Sequence, residues 1–307
     1  MFPYSLDNKR YHTFNYFLKN KFGQKVFKVP LDINSPCPNQ KKGGCIYCVN
    51  KSKANIIINT KDIIKQFNNT KNIISKKWPN SLYIAYFQSG TNTFIPVTKI
   101  KPLIDELLKQ NKVVGISIAT RPDCINNDWY NYLKELNKKT FLTIEIGLQT
   151  TNLKTLEFIN RGHDVNCVTK TIKKLKELNI FTVVHIINGL PYETKEDMLE
   201  TVKYLNNQII DVIKIHMLYI DKNTPLAKIY NTKKFSILSK EEYIDIVCEQ
   251  LELLNPKIVI ERITGDPIKE NLIAPTWLLK KFCLLNDIDK EMKKRNIYQG
   301  DKLTFPN

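Results

Sequence analysis

Short apolar runs alternate with amphipathic stretches along most of the chain. The runs cover residues 26–31, 82–87, 113–118, 141–146, 181–187 and 212–218; they are rich in Val, Ile, Phe and Tyr and mostly lack clean alternation. Strands buried on both faces have this composition. Between them, residues 98–110, 128–137, 168–178 and 195–205 place apolar side chains three and four apart among Lys and Glu, as helices with one buried stripe do. This alternation predicts right-handed βαβ units and a parallel sheet. The rhythm then breaks, with 240–254 and 276–295 reading as helices and 258–262 as a short strand. No repeat of roughly 20–50 residues and no Gly/Ser-rich linker marks a boundary. The expected fold class is α/β in one domain, as an open doubly wound sheet or a full or partial barrel. Its core spans about 26–245, with a helical N-terminal extension over 1–25 and a C-terminal extension over 246–307.

With 42% hydrophobic residues, 14 Phe and 14 Tyr in 307 positions, a large buried core is available, which excludes disordered and collagen-like chains. The formal charge of +17 suggests a polyanionic partner. Only 5 of the basic residues are Arg, however, against 42 Lys, and 32 Asn accompany them, so the excess resembles the coding bias of an AT-rich genome. Surfaces that bind phosphate often use the bidentate fork of Arg, and a Lys-only excess is weaker evidence. Seven cysteines are too few for a disulfide scaffold, and Met1-Phe2-Pro3-Tyr4 lacks the basic-then-apolar profile of a secretory signal. The expectation is a cytoplasmic monomer without membrane segments. Clustered cysteines in that compartment are metal ligands or catalytic groups.

Three of the seven fall in Cys37-Pro-Asn-Gln-Lys-Lys-Gly-Gly-Cys45-Ile-Tyr-Cys48, just after the first strand. In parallel α/β folds, ligands sit at the carboxyl ends of the strands. Structural zinc generally takes four protein ligands, and no fourth Cys or His follows at finger spacing; Cys124 lies beyond two strands. Three thiolates suit a [4Fe-4S] cluster with one iron left open.

The sequence resembles the radical S-adenosylmethionine (SAM) superfamily, and within it a bacterial family close to the radical SAM domain of the Elongator catalytic subunit. The resemblance runs through the cysteine loop, Tyr86-Phe87-Gln88-Ser89-Gly90-Thr91-Asn92-Thr93, Thr120-Arg121-Pro122-Asp123, Glu145-Ile146-Gly147-Leu148-Gln149-Thr150, Asn160-Arg161-Gly162-His163-Asp164, His185-Ile186-Ile187-Asn188-Gly189-Leu190-Pro191 and Thr264-Gly265-Asp266-Pro267. The common superfamily spacing is C-x3-C-x2-C, and the longer first gap is a feature of this subgroup.

The resemblance implies a partial (β/α)6 barrel with short terminal extensions, in which Cys37, Cys45 and Cys48 ligate the cluster. It places Tyr47 near the SAM adenine, Gly90 and Thr91 near the methionine amino group, Gln149 and His185 on the ribose, Arg161 on the carboxylate, and Gly189 beside the adenine. Each has an ordinary structural alternative: a core aromatic for Tyr47, a strand-leaving turn for Gly90 and Thr91, a helix C-terminal cation for Arg161 and a satisfied core histidine for His185. Ala119 stands where related proteins carry Glu before Thr-Arg-Pro. His216 with one of its neighbours on the sixth strand, and Glu261, Arg262, Thr264 and Asp266 beyond the last one, are candidates for the substrate end, with a solvated loop and an N-capping Asp as the ordinary alternative; Glu145, inside a strand, reads as structural rather than as a general base. The implied enzyme cleaves SAM reductively to a 5′-deoxyadenosyl radical and takes electrons from a donor such as flavodoxin or ferredoxin. By the Elongator relation it modifies tRNA, at the C5 side chain of a wobble uridine. The alternative is a small molecule or protein side chain as substrate, and an electron-transfer module without SAM chemistry is disfavoured by the SAM motifs.

Overall fold

The computed structural model describes Phe2 and residues 9–49 and 62–303. In chain order the elements are α1 (Phe14–Phe22), β1 (Val26–Leu31), α2 (Ile63–Lys77), β2 (Leu82–Phe87), α3 (Val97–Leu108), β3 (Val113–Thr120), α4 (Asn127–Asn137), β4 (Phe141–Gln149), α5 (Leu153–Phe158), α6 (Val165–Glu177), β5 (Phe181–Asn188), α7 (Lys195–Asn206), β6 (Val212–Met217), β7 (Ile220–Asp221), α8 (Pro225–Asn231), α9 (Lys240–Leu253), β8 (Val259–Arg262), β9 (Leu272–Ala274) and α10 (Lys281–Lys294). Seven strands form one parallel sheet in the order β1-β2-β3-β4-β5-β6-β8, curled into a half-barrel with helices on its outer face. The barrel therefore has one strand more than the six of the predicted core. Segment 258–262, expected in the C-terminal extension, pairs with β6 at Val212↔Val259 and Ile213↔Ile260. β7 and β9 form a separate antiparallel pair. No helix among the described residues is long and apolar enough to cross a membrane.

The strand pattern becomes legible once both faces are assigned. On β4, Leu142, Ile144, Ile146 and Leu148 point outward into the main apolar cluster under the helices, while Thr143, Glu145 and Gly147 alternate toward the barrel interior. The lower interior is apolar: Phe14 and Leu18 of α1 pack against Val26, Ile84, Val183, Val212 and Val259 near the strand starts. Phe17 stacks on Phe181 at 5.0 Å. The N-terminal extension is therefore a plug in the bottom of the barrel.

Two departures from the helix pattern have local causes. α2 escaped the periodicity because Gln66 occupies a buried position, where its amide exchanges two hydrogen bonds of 2.9 Å with the backbone of Asp32. The stretch expected as one helix over 276–295 is a 3-10 turn, Thr276–Lys280, followed by α10.

Both termini are tied through Gln299, which is fully buried. Its side-chain oxygen accepts from His12 N at 2.7 Å, and its amide donates to Asn255 O and Ile258 O at 2.8 Å each. His12 O in turn accepts from Ile260 N of β8 at 2.7 Å. Gln299→Ala removes the three hydrogen bonds to His12 N, Asn255 O and Ile258 O and should cost about 3 kcal/mol in urea unfolding; a loss under about 0.5 kcal/mol, the scale of an ordinary surface change, would contradict this tie.

Candidate active site

A cavity of about 330 Å³ opens at the carboxyl ends of the strands, within the range of small-molecule sites. Its rim is the cysteine loop. Cys37 precedes a 3-10 turn, Pro38–Lys42, and Gly43 and Gly44 follow at φ 91° and 72°, a region open to glycine that brings Cys45 back toward the barrel. Two asparagines lock the loop onto the turn after α5. Asn39 Nδ2 donates to Asn160 O at 2.7 Å, and Asn160 Nδ2 donates to Lys42 O and Gly44 O at 2.8 and 2.7 Å.

Cys37, Cys45 and Cys48 all line the cavity. Asn39 Nδ2 and Arg161 Nη1 point at Cys45 Sγ from 3.5 and 3.6 Å. The hydrogen bond from Cys48, helped by the Arg161 and Arg121 guanidiniums, brings the Cys45 thiol down to about 5. Cys48, as the donor, is pushed well up. Among the described residues, no three His, Cys, Asp or Glu side chains gather around a single-ion position. A cluster makes a different demand, taking each thiolate on its own iron.

Behind the thiols stand two buried guanidiniums. Arg121 forks onto Asp123 with two bonds of 2.9 Å and donates to Arg161 O at 3.0 Å. Arg161 donates to Gly147 O at 2.8 Å, while its buried Nε has no partner. Gly147 is required here, since a Cβ would run into Gln149 Nε2 and lie 2.6 Å from Arg161 Nη2. The β4–β5 register shifts at this point, and Gln149 sits at φ 76°, a strained conformation for a residue with a side chain.

The floor is a charged layer with one residue from every strand of the sheet. Glu145 of β4 is 1% exposed and accepts five hydrogen bonds. Lys28 Nζ (2.6 Å) and Ser117 Oγ (2.8 Å) reach Oε1; Lys214 Nζ (2.6 Å), Tyr86 OH (2.7 Å) and His185 Nε2 (2.8 Å) reach Oε2. Glu261 of β8 accepts from Lys28 at 2.7 Å and from Lys214 at 2.9 Å. Burial opposes the charge on Glu145, but Lys214, Lys28 and His185 outweigh it and hold the carboxyl well below its usual range. Burial likewise opposes the charge on Lys28, and the two carboxylates overcome it and raise its pKa. Lys214 is more deeply buried and lies beside Lys28, so its pKa falls. His185 stacks on His216 at 5.2 Å, and burial lowers both imidazoles.

Eight of the ten residues singled out in sequence meet at this cavity: Cys37, Cys45, Cys48, Gly90, Thr91, Gln149, Arg161 and His185. Tyr47 and Gly189 lie outside its lining. Tyr47 packs with the apolar cluster around Leu226, where burial and the Cys45 charge push its phenol well up. Gly189 faces Leu238, 3.0 Å from where a Cβ would stand. Of the substrate-end candidates, His216 and Arg262 line the cavity, together with Lys214 of the same strand as His216, and Glu261 belongs to the layer beneath it. Thr264 and Asp266 are not in the lining; Asp266 pairs with Arg262 at 2.9 Å. Sequence reasoning passed over Lys28, Tyr86, Ser117 and Arg121. For Lys28 there was a signal, a charge at the centre of an apolar strand, as also at Glu145 and Lys214.

Comparison with known proteins agrees with this geometry. Residues 37–205 match the radical SAM superfamily and residues 210–294 the radical SAM C-terminal domain. The chain belongs to the radical SAM superfamily and is an enzyme of it. Members of that family bind a [4Fe-4S] cluster and SAM. An uncharacterized protein of Bacillus subtilis, YtqA, is 45% identical over 97% of this chain and 94% of its own length. Elongator complex protein 3 of Schizosaccharomyces pombe is 28% identical over 53% of this chain and 31% of that protein. The structure of the archaeal Methanocaldococcus infernus Elp3 superposes with a TM-score of 0.68 at 17% identity, over 89% of this chain and 64% of that one. The chain thus spans under two thirds of either Elongator-type protein.

Removing the Glu145 carboxylate leaves two buried ammonium groups to share the single carboxylate of Glu261. Glu145→Ala should lower unfolding free energy by about 3–5 kcal/mol. Because its folded pKa is depressed, the Glu145 contribution is full above the unfolded value of about 4.3 and is lost as pH falls through the folded value. The stability gap between wild type and Glu145→Gln should therefore be flat at neutral pH and narrow only in acid; a gap that instead closes between about pH 6 and 8, where histidines titrate, would place the sensitive group elsewhere.

Proposed function

We propose that Cys37, Cys45 and Cys48 carry the [4Fe-4S] cluster and that Gly90, Thr91, Gln149, Arg161 and His185 hold SAM against it, with Tyr47 and Gly189 contributing from just outside the cavity lining. The observation that carries this reading is the convergence of three loop thiols and two buried guanidiniums on one cavity. Arg161 offers an unsatisfied Nε beside the thiols, a ready donor for a carboxylate. With cluster and SAM bound, the site supplies one-electron cleavage to a 5′-deoxyadenosyl radical. The chain's own residues orient the cofactor and exclude water: the charged layer and α1 seal the cavity from below, so its opening is at the strand ends. A flavodoxin- or ferredoxin-type carrier delivers the electron.

The substrate on this reading is tRNA, at the C5 side chain of a wobble uridine. Support comes from the partial sequence likeness to Elongator complex protein 3 and from the chain's positive charge.

Two measurements test the two halves. Anaerobic reconstitution should give about four irons per chain and dithionite-dependent 5′-deoxyadenosine. Cys45→Ala should abolish both, while Cys283→Ala, an exposed thiol on α10, keeps both; iron and product surviving in Cys45→Ala would refute the ligand assignment. Mass spectrometry of tRNA nucleosides from a deletion strain and its parent should show one modified uridine lost, and identical profiles would remove tRNA as the substrate.

A further inference from the structure

Lysine density does not explain where the chain's charge lies. Residues 1–104 hold 17 Lys and Arg and residues 105–307 hold 30, about 16% and 15% of each part. Acids divide quite differently. The first part has three, Asp7, Asp32 and Asp62, and the second has 27, so residues 1–104 carry +14 of the chain's +17. A drift toward Lys in the coding sequence spreads along a chain and leaves no such step. The step comes from missing acids, a charge asymmetry that points to a polyanionic partner.

In the fold, β1 and α2 of this acid-poor part lie together on one flank. β1 is an edge strand of the sheet and α2 packs against it. Near its start α2 bonds the backbone of Asp32, just beyond the end of β1, and Lys77 at its end lies beside Lys25, just before β1 begins. The helix therefore runs the height of the sheet, about 22 Å for its 15 residues. Lys41 and Lys42 stand exposed on the cysteine loop at the top, Lys65 on the first turn of α2, and Lys76 and Lys77 on its last. Among the described residues, Lys25, Lys41, Lys42, Lys76 and Lys77 make no ion pair, and Lys65 has only a 3.9 Å approach to Asp62. Lys25 sits 3.6 Å above the ring of Trp78, which is 39% exposed. Burial and then the nearby charge of Lys77 lower the Lys25 pKa. Other lysines, nearer the acids of the second part, are matched: Lys195 pairs with Asp245 and Glu249, Lys203 with Glu200, and Lys176 with Asp211.

We infer that the flank formed by β1 and α2 is the docking surface for the phosphate backbone of an RNA, which runs along α2 and brings its reacting nucleoside to the cavity mouth beside the cysteine loop. This rests on the tRNA reading above. Unpaired lysines in a line with an exposed indole between them suit a chain of phosphates with stacking at one end. An acidic electron carrier would need to sit over the cysteine loop, where only Lys41 and Lys42 of this set stand, whereas the stripe leads away from it.

The test titrates the full-length protein with unfractionated tRNA at several KCl concentrations. Lys65→Gln/Lys76→Gln/Lys77→Gln should weaken binding at least tenfold at moderate salt and lower the slope of log K against log salt by about 2. Lys170→Gln/Lys173→Gln/Lys174→Gln on α6 should bind as wild type does. Circular dichroism melts check that both triple variants fold. Equal binding by the two variants, or wild-type binding without salt dependence, overturns the docking surface. So does a flank variant that binds tRNA normally but loses flavodoxin-supported, and keeps dithionite-supported, SAM cleavage, since the surface would then belong to the carrier. The substrate reading falls separately: salt-dependent tRNA binding through the flank with unchanged nucleosides in the deletion strain leaves the surface standing, and changed nucleosides with normal binding by the flank variant does the reverse.

Discussion

The ion pairs around Glu145 are the constraint on which the barrel depends. The sheet is open, with β1 and β8 as its two edges, and no ladder joins them. Lys28 of β1 spans that gap by bonding Glu261 of β8, and it meets Glu145 of β4 on the same ammonium. Lys214 of β6 closes the ring from the other side. Two ammonium groups and two carboxylates balance in charge, and each Glu145 oxygen is satisfied, as a buried network must be if it is not to cost more than an apolar core. Ser117, Tyr86 and His185 fill the remaining acceptor sites. Curvature of the sheet is thus fixed by polar contacts across its concave face, where hydrogen bonds between edge strands are missing.

That layer also divides the interior by chemistry. Beneath it α1 and the strand starts form a dry apolar plug. Above it the strands end in backbone forms that regular pairing would forbid: the bulge at Gly147, Gln149 at positive φ, and Gly90 at φ 75° with its α-carbon against Ser35 O. A rigid floor is what makes these tolerable, because the strain at the strand ends is borne by residues whose neighbours cannot move. The two guanidiniums stand behind the thiols, and their charge adds to the hydrogen bond from Cys48 that favours an ionised Cys45.

Much of this was legible in the sequence, for identifiable reasons. Six buried strands declared themselves by β-branched and aromatic runs, and the cysteine loop by spacing alone. The seventh strand was visible as 258–262 but looked terminal, because what joins it to β6 is reached through α9 rather than through a βα rhythm. α2 was hidden by Gln66, a polar residue buried for its hydrogen bonds to Asp32. The charged layer was harder still. Its members are single residues on seven strands, and nothing along the chain says that Lys28 and Glu261 share a hydrogen bond. Glu145 was rightly placed within a strand, yet its role as the acceptor for five donors depends on register between strands, which pattern reading does not supply. Tyr47 and Gly189 matched family positions, while their side-chain space here is taken by apolar neighbours.

Sealing the cavity from below has a consequence for any large substrate. The space above the charged layer is about 330 Å³, and on the proposed reading it is shared between SAM and the group the radical attacks. On the tRNA reading, only one nucleoside enters, and the rest of the molecule stays outside. Contacts made inside are then few, so most of the binding energy has to come from groups remote from the reacting atom, where it can hold the nucleoside in place against the cost of unstacking it. A compact barrel with α1 turned inward as a plug has its outer flanks left for that task. Depletion of acids along one of them, at constant lysine density, provides long-range attraction without extra folded mass, and it does so on the edge of the sheet nearest the cysteine loop, where a docked backbone and an inserted nucleoside can be served by one orientation of the RNA.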